Sequence, residues 1–257
     1  MLTMSNLYGH GFDRQQLEMF EALGFTLRPQ ESIYMGSQIC RFIDFNSGPA
    51  LELIEVEDRA AYEAFVPAGM APYCPGISLV VAEGATALDE YEREFAALEP
   101  YRLHVPYTEG DERGPGWHYL NFGVPVVRDT FLWLTAYDEP KPASGEHCDH
   151  ANGVQGVVGL VFDLSPADLA CLSRLTGQSL VDGMLTVGSV AVIANSADGS
   201  DLGGSPKTFP LRAVVMRASS LDAFASYAPG AQNVTLMGRP ALLVEMNPLS
   251  WDVLVTA

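Results

Sequence analysis

Basic residues and long apolar runs are both scarce in this sequence of 257 residues. It has 14 Lys and Arg against 32 Asp and Glu, which gives a net charge of −18. Because contacts with phosphates need a basic surface, we expect no nucleic-acid partner, and the same charge disfavours anionic lipid surfaces. A membrane helix needs roughly 20 consecutive apolar residues. The longest apolar runs, such as those at 77–82 and 157–162, have only the length of a strand, so we also predict no membrane partner.

Cysteine is sparse as well, and its spacing excludes the common paired motifs. Cys40, Cys74, Cys148 and Cys171 lie far apart, and no two of them are separated by two residues. This spacing is not that of a redox dithiol or a zinc ribbon. The first six residues contain no basic residue and no apolar core, so we expect no export signal, reduced thiols and a cytoplasmic location.

Motifs for nucleophilic and phosphate chemistry are missing too. The sequence has no Gly-Xaa-Ser-Xaa-Gly elbow and no pair of Cys and His that resembles a nucleophile with its base. The glycine-rich stretch around Gly203 is not followed by a helical pattern, which argues against a phosphate-binding loop. These absences leave the catalytic residues unassigned.

What the sequence does contain is one pattern that occurs four times. A short strand is followed by an amphipathic helix and then by two or three extended runs rich in β-branched and aromatic residues. Ser165 and Ser219 are the predicted N-caps of the last two helices, and Gly177 is the predicted end of the third. Because one such module cannot bury both faces of its sheet, we predict an α+β fold of four βαβββ modules that pair into curved mixed sheets.

Proline marks the middle of the chain. Pro140 and Pro142 fall in a stretch at 138–144 that also contains Ser, which is typical of a linker. We therefore predict two halves, residues 1–140 with modules one and two and residues 145–257 with modules three and four. We further predict a hairpin tip or flap at 108–116 and a connecting loop at 196–206.

Three segments resemble the vicinal oxygen chelate superfamily, which includes glyoxalases, extradiol dioxygenases and bleomycin-resistance proteins. Phe-Glu-Ala-Leu-Gly-Phe at 20–25 looks like the end of the family's first helix, and Leu-Glu-Leu-Ile at 51–54 looks like its last strand after a Gly-Pro turn. His-Ala-Asn-Gly-Val at 150–154 is similar to the His-Pro-Asn-Gly-Ala segment of a glyoxalase-like subgroup. The resemblance implies the same modular fold over nearly the whole chain.

The resemblance also implies a divalent metal, held by His at the start of a module's first strand and by Glu in a last strand. Glu52 occupies the family's carboxylate position, but Ile77 and Ser78 stand where the second module would supply His. The last strand of that module, at 132–135, contains no carboxylate. We therefore predict no cofactor, with a divalent metal as the alternative. The segment His-Cys-Asp-His at 147–150 is either a replacement ligand set or a polar loop that leads into a strand.

Four residues are the candidate ligand contacts. His150 and Asn152 share a face of an extended chain, where an imidazole and an amide can orient a carbonyl or a carboxylate. Glu52 is either a cavity carboxylate or a glutamate at a strand edge. His118 shares its strand face with apolar residues, which fits either a cavity lining or a core histidine.

These residues lead to three functional hypotheses. The first is a protein that binds a small organic carbonyl or carboxylate compound in a sheet cleft, as an isomerase or lyase without the usual metal. The second is a non-catalytic binding or sequestration protein of the bleomycin-resistance type, with an apolar, aromatic-lined groove. The third is a metal-dependent extradiol-type dioxygenase, which needs two His and a carboxylate on iron. The predicted partners are a small-molecule ligand and, as an option, a second copy of the chain in a homodimer.

Overall fold

A computed structural model gives the fold of most of the chain. It describes residues 2–10, 14–28, 32–34, 38–66, 70–107, 116–139, 147–195, 207–246 and 251–257. We call the part up to residue 139 the front half and the part from residue 147 the back half. The predicted boundary between residues 140 and 145, the loop at 196–206 and nearly all of the loop at 108–116 lie outside the described residues. The division into two domains therefore stays a prediction.

The front half forms one mixed sheet. Its elements are β1 (Leu2–His10), α1 (Arg14–Ala22), β2 (Ser32–Tyr34), β3 (Gln38–Ile43), β4 (Ala50–Val56), α2 (Arg59–Phe65), β5 (Gly76–Val81), α3 (Leu88–Glu94), β6 (Pro100–Val105), β7 (Trp117–Phe122) and β8 (Phe131–Tyr137). The eight strands lie in the order β2-β3-β4-β1-β5-β8-β7-β6. β1 pairs in parallel with β4, and β5 pairs in parallel with β8. The antiparallel pairing of β1 with β5 joins the two modules at the centre of the sheet.

The back half forms a second mixed sheet. Its elements are β9 (Val154–Phe162), α4 (Pro166–Thr176), β10 (Met184–Val187), β11 (Val190–Ala194), β12 (Leu211–Ala218), α5 (Leu221–Ala225), β13 (Gln232–Leu236), β14 (Arg239–Val244) and β15 (Asp252–Thr256). The seven strands lie in the order β10-β11-β9-β12-β15-β14-β13. Among the described residues, two strands rather than three follow the helix of the third module, so the sheet as described has one strand fewer. The predicted fold class, four strand-helix-strand modules paired into mixed sheets, is confirmed.

The caps of the back-half helices follow from local hydrogen bonds. Ser165 Oγ accepts from the Asp168 N–H at 3.1 Å and Asp168 Oδ2 accepts from the Ser165 N–H at 3.0 Å, which is a capping box. α4 ends at Gly177, where φ is +66°, as predicted. The predicted cap of α5 is wrong by one residue, because Ser220 caps it. Ser219 instead donates its N–H to the Gly153 carbonyl at 2.9 Å, which holds it in the extended segment.

One hydrophobic core is shared by both halves. It includes Leu51 and Leu134 of the front sheet, Val214 and Val253 of the back sheet, and Phe20 of α1, all fully buried. Burying one side chain of this size contributes about 1.5–3 kcal/mol. We call the face of each sheet that packs into this core the core face, and the opposite one the far face. Because side chains alternate along a strand, the residues of each far face form a separate cluster.

Neither disulfide bonds nor membrane-spanning helices are found among the described residues. The four cysteines are free thiols, with Cys40, Cys74 and Cys148 buried and Cys171 half-buried. In the described part of the chain, no helix combines the length and the apolar composition that crossing a membrane requires.

Candidate functional site

A cavity opens on the far face of the front sheet. It contains about 610 Å³ of empty space, part of which is open to solvent. Its wall consists of Tyr8, Gln38, Glu52, Ile54, Tyr62, Val66, Leu103, Tyr119, Asn121, Phe131 and Trp133.

Four aromatic rings make much of this wall apolar. The ring centroid of Trp133 lies 4.5 Å from that of Tyr8, 5.3 Å from that of Phe131 and 6.0 Å from that of Tyr119. Trp133 is therefore the central ring of the group. Tilted and edge-to-face contacts at these distances are favourable. These contacts make the wall a preformed surface, and its shape and apolar character suit a flat apolar molecule.

Glu52 places a carboxylate in this apolar wall. The residue is 8% exposed, and its Oε2 accepts a hydrogen bond from Asn6 Nδ2 at 2.9 Å. Burial, assisted by the nearby Glu52 charge, raises the pKa of Tyr8 well above its usual value and that of Tyr137 to about 12. Burial and then Glu52, which accepts a hydrogen bond from the thiol, likewise raise the pKa of Cys40. These three neighbours therefore stay protonated and neutral around the carboxylate at neutral pH.

Two N–H donors of the wall have no hydrogen-bond partner among the described residues. They are Nδ2 of Asn121 and the indole Nε1 of Trp133. The two residues are directly opposite each other on β7 and β8 and are 6% and 7% exposed. A buried donor without a partner costs about 1–3 kcal/mol. Both residues line the cavity, so each donor is a candidate partner for the acceptor atom of a ligand or a water.

The short helix α2 covers one side of the cavity. Its Tyr62 lines the wall, and the residue that ends the helix, Val66, lies beside it. The Tyr62 hydroxyl accepts from the Tyr73 N–H at 3.2 Å, and the two rings stack with centroids 5.0 Å apart. This helix is absent from the sequence-based prediction, although Asp58 is an ordinary N-cap residue and accepts from the Ala61 N–H at 3.1 Å.

His150 and Asn152, two of the four predicted ligand contacts, lie where the two halves meet. His150 Nε2 donates to the Asp44 carbonyl at 2.9 Å, and its Nδ1 accepts from the Thr26 N–H at 3.1 Å. Asn152 Nδ2 donates to the Leu23 carbonyl at 2.7 Å. Both side chains thus bond the start of the back half to the backbone of the front half, away from the residues that line the cavity. Their role in ligand binding stays a prediction.

His118, another predicted contact, points to the opposite face of the front sheet. Tyr119 and Asn121 of the same strand line the cavity, so alternation turns His118 to the core face. There its Nε2 lies 3.0 Å from Asp138 Oδ1. Of the four predicted contacts, the structure brings Glu52 alone into the wall of this cavity, and the ligand-binding role of each still awaits a test.

The metal implied by the family resemblance would need ligands on the central strands of the front sheet. The row of paired positions across β4, β1, β5 and β8 is Glu52, Tyr8, Gly76 and Phe131. These four described positions supply one carboxylate and no imidazole. A divalent metal site of this kind needs three or four nitrogen or oxygen ligands. The residues of the cavity therefore do not fit that metal.

Tyr8, Asn121 and Trp133 are site residues that the sequence-based prediction omits. A usable signal exists for Asn121, since it stands between Leu120 and Phe122 in an apolar strand and so must lie on the other face. Trp133 carries no comparable signal, because an aromatic residue in a strand is most often part of a core.

The chain resembles known proteins in structure but not in sequence. No protein-family model matches it, and no curated protein does. The Mn(II)-bound glyoxalase from Novosphingobium aromaticivorans is 12% identical with a TM-score of 0.55, and the match covers 98% of this chain and 81% of that one. An extradiol ring-cleaving dioxygenase from B. fuscum is 11% identical with a TM-score of 0.58, and the match covers 100% of this chain and 72% of that one. At these identities the likeness establishes the fold alone, which this chain shares with a glyoxalase and an extradiol dioxygenase.

Proposed function

We propose that the front-half cavity binds a small aromatic compound through a carbonyl oxygen. The pair of unpartnered donors, Asn121 Nδ2 and Trp133 Nε1, carries this proposal. A carbonyl oxygen has two lone pairs, so it can accept from either donor, or from both where they converge, and each bond removes a cost of about 1–3 kcal/mol. The rings of Tyr8, Tyr119 and Phe131 around Trp133 supply the surface for the aromatic part of the ligand.

Glu52 narrows the ligand class to neutral carbonyl compounds. Its carboxylate lies in the same wall and is almost removed from solvent. Two negative charges repel each other more strongly in such a low-dielectric site than in water. A carboxylate ligand should therefore bind more weakly than a neutral ketone or aldehyde of the same shape.

Glu52 also supports a second candidate function, proton transfer at the carbon next to the bound carbonyl. The carboxylate removes a proton from that carbon, the C–H electron pair becomes an enolate, and the Asn121 and Trp133 donors stabilise the enolate oxygen. Return of the proton to carbon completes an isomerase-type reaction. A protein that only binds or sequesters its ligand would use the same donors without this step. The dioxygenase hypothesis lacks support from the central row, which offers no His.

Three probes that share one ring but differ in the polar group test the binding proposal. Calorimetric titration of the whole chain should show acetophenone binding best and benzoate more weakly. Benzylamine has no carbonyl acceptor for the two donors and should also bind more weakly. Trp133→Phe keeps a ring but loses the N–H, and should weaken acetophenone binding by about tenfold. Trp117→Phe is the matched control, because Trp117 is not among the wall residues.

The Glu52→Gln variant separates the proposal from its rivals. It should raise the affinity for benzoate toward that for acetophenone, since the repelling charge is gone. Preferred binding of benzylamine that Glu52→Gln abolishes would instead mean a cation site, and the proposal would be wrong. Proton transfer is measured separately, as exchange of the acetophenone methyl protons in D₂O followed by NMR. Exchange that Glu52→Gln abolishes supports the enzyme, and binding without exchange supports the sequestration protein.

A further inference from the structure

Three side chains of the metal-ligating type meet at the edge of the front sheet. His104 lies on β6, His118 is directly opposite on β7, and Asp138 follows the last residue of β8. Leu103 and Tyr119, the sequence neighbours of the two histidines, line the cavity. Alternation therefore turns both imidazoles to the core face, so the group is separate from the cavity.

The donor atoms of this group converge. The His104 and His118 rings are stacked, with centroids 4.1 Å apart and planes inclined by 8°. His118 Nε2 lies 3.0 Å from Asp138 Oδ1, and His104 Nε2 lies 3.4 Å from Oδ2. One ligand atom from each residue lies within 4.8 Å of the other two. Ligands at about 2.0–2.2 Å from one ion are themselves about 3.0–3.5 Å apart, so the donor atoms are already close to that spacing. The two stacked rings must turn out of their parallel arrangement, because each nitrogen lone pair lies in its own ring plane.

Solvent reaches the group. The side chains of His104, His118 and Asp138 are 47%, 26% and 37% exposed. An ion can therefore enter directly from water and keep water molecules in its remaining coordination positions. A metal ion binds imidazole in its neutral form and carboxylate in its charged form, so this donor set supplies one negative charge to a bound cation.

Gly116 provides the space that the Asp138 carboxylate occupies. The Asp138 N–H donates to the Gly116 carbonyl at 2.8 Å, which fixes the backbone beside the two histidine strands. A Cβ atom at position 116 would fall against Asp138 Oδ2 and lie 2.7 Å from the Tyr107 nitrogen. A larger residue there would displace the carboxylate, so the backbone as well as the side chains supports this arrangement.

We propose that His104, His118 and Asp138 bind one divalent transition-metal ion, for which Zn²⁺ is the best match. Two imidazole nitrogens and one carboxylate oxygen form a donor set that suits zinc and similar ions, with water in the open position. The ion joins β6, β7 and the end of β8, and so fastens the edge strand of the sheet. This site lies on the opposite face from the metal position that the family resemblance implies, and it shares no residue with that position.

Zinc titration of the whole chain tests the proposal. After removal of metal with EDTA, calorimetry with ZnCl₂ should show one ion per chain, and the ion should raise the thermal unfolding temperature. His104→Gln and Asp138→Asn should each lower the Zn²⁺ affinity by at least about tenfold and remove the stabilisation. His147→Gln is the matched control, because His147 is exposed and lies outside the group.

Cobalt supplies a readout that a purely structural role does not affect. Co²⁺ bound through two nitrogens and an oxygen gives visible absorption bands, and these should disappear in both variants while circular dichroism shows that the chains stay folded. Equal Zn²⁺ affinity in the wild type and in the doubly substituted chain would overturn the proposal. Failure of the wild type to bind one equivalent would overturn it as well.

Discussion

The front and back halves have the same central strand arrangement but differ on their far faces. The four central strands are β4-β1-β5-β8 in front and β11-β9-β12-β15 behind. They pair with the same directions and in corresponding register. The central row is Glu52, Tyr8, Gly76 and Phe131 in the front sheet, and Ile193, Val161, Ala213 and Asp252 in the back sheet.

The back row is closed, whereas the front row lines a cavity. Ile193, Val161 and Ala213 belong to a cluster of buried aliphatic residues that fills the far face. Asp252 is also buried, but its Oδ1 lies 2.5 Å from Lys207 Nζ and accepts from the Met246 N–H at 2.8 Å. Equal register therefore does not imply equal function. Side-chain volume and charge compensation decide which sheet offers room for a ligand.

Among the substitutions that distinguish the two halves, we expect the largest loss of stability at the buried ion pair of Lys207 and Asp252. Lys207→Met leaves the Asp252 carboxylate buried without its counter-charge, which should lower the free energy of unfolding by about 3–5 kcal/mol. Urea denaturation measures this loss. Acetophenone binding in the front half should not change, provided that the folded chain is compared.

A double variant checks the physical reason for that loss. In Lys207→Met with Asp252→Asn the charge is gone, while the amide oxygen can still accept from the Met246 N–H. Much of the stability should return, because a buried neutral amide costs less than an unpaired carboxylate. An equal loss in the single and double variants would show that packing of the lysine stem, and not charge, matters.

A somewhat smaller contrast is expected one row further along the strands. Ser78 pairs with Trp133 in the front sheet, as Val215 pairs with Leu254 in the back sheet, so Trp133 and Leu254 are equivalent. Leu254→Ala creates a void in a closed cluster and should cost about 2–4 kcal/mol. Trp133→Phe loses ring contacts but also removes an N–H whose missing partner already costs stability, so the net change should be less than about 1 kcal/mol.

Chemical denaturation of both variants, with acetophenone titration, measures this contrast. Leu254→Ala should change stability and leave ligand affinity alone, whereas Trp133→Phe should do the reverse. A loss of affinity in Leu254→Ala would contradict the assignment of binding to the front half.

Local signals in the sequence are enough to predict the modules. The N-cap at Ser165 and the end of α4 at Gly177 depend only on neighbouring residues, and both are confirmed. The pairing of modules follows from amphipathic strands and helices that a single module cannot bury. Short elements such as α2 escape this reasoning, because a helix of two turns carries too few periodic positions.

The site is harder to predict, because it depends on register and on which sheet face meets the core. Alternation along the strand shows that His118 lies on one face of the sheet and that Tyr119 and Asn121 lie on the other. It does not show which of the two faces lines a cavity. His104, His118 and Asp138 come together through pairing across three strands, which the sequence does not specify. Glu52 is found at the cavity through its family resemblance. The resemblance does not reveal which residues lie beside Glu52 in the sheet. Only the strand pairing shows that they are Tyr8, Gly76 and Phe131, which do not form a metal site with it.

The smallest expected effect concerns the contact between the halves and depends on pH. Burial lowers the pKa of His150 below its ordinary value of 6.5, against the opposing effects of the Asp44 carbonyl and of the Asp149 and Asp44 charges. Below that ordinary value the unfolded chain takes up a proton that the folded chain resists, so the free energy of unfolding falls as pH decreases from about 7.5 to about 5.5. His150→Gln should lose this part of the pH dependence.

Urea denaturation across that pH range measures the effect as the difference between wild type and variant. The comparison is made on the slope with pH, because His150→Gln also loses hydrogen bonds to Thr26 and Asp44 and is expected to be less stable at every pH. His147→Gln, at an exposed histidine three residues away, should keep the wild-type slope. Identical slopes in all three proteins would mean that the contact between the halves accommodates the charged form of His150 as well as the neutral form. Its ring then could not be fixed by donating to Asp44 and accepting from Thr26, since a charged imidazole cannot accept.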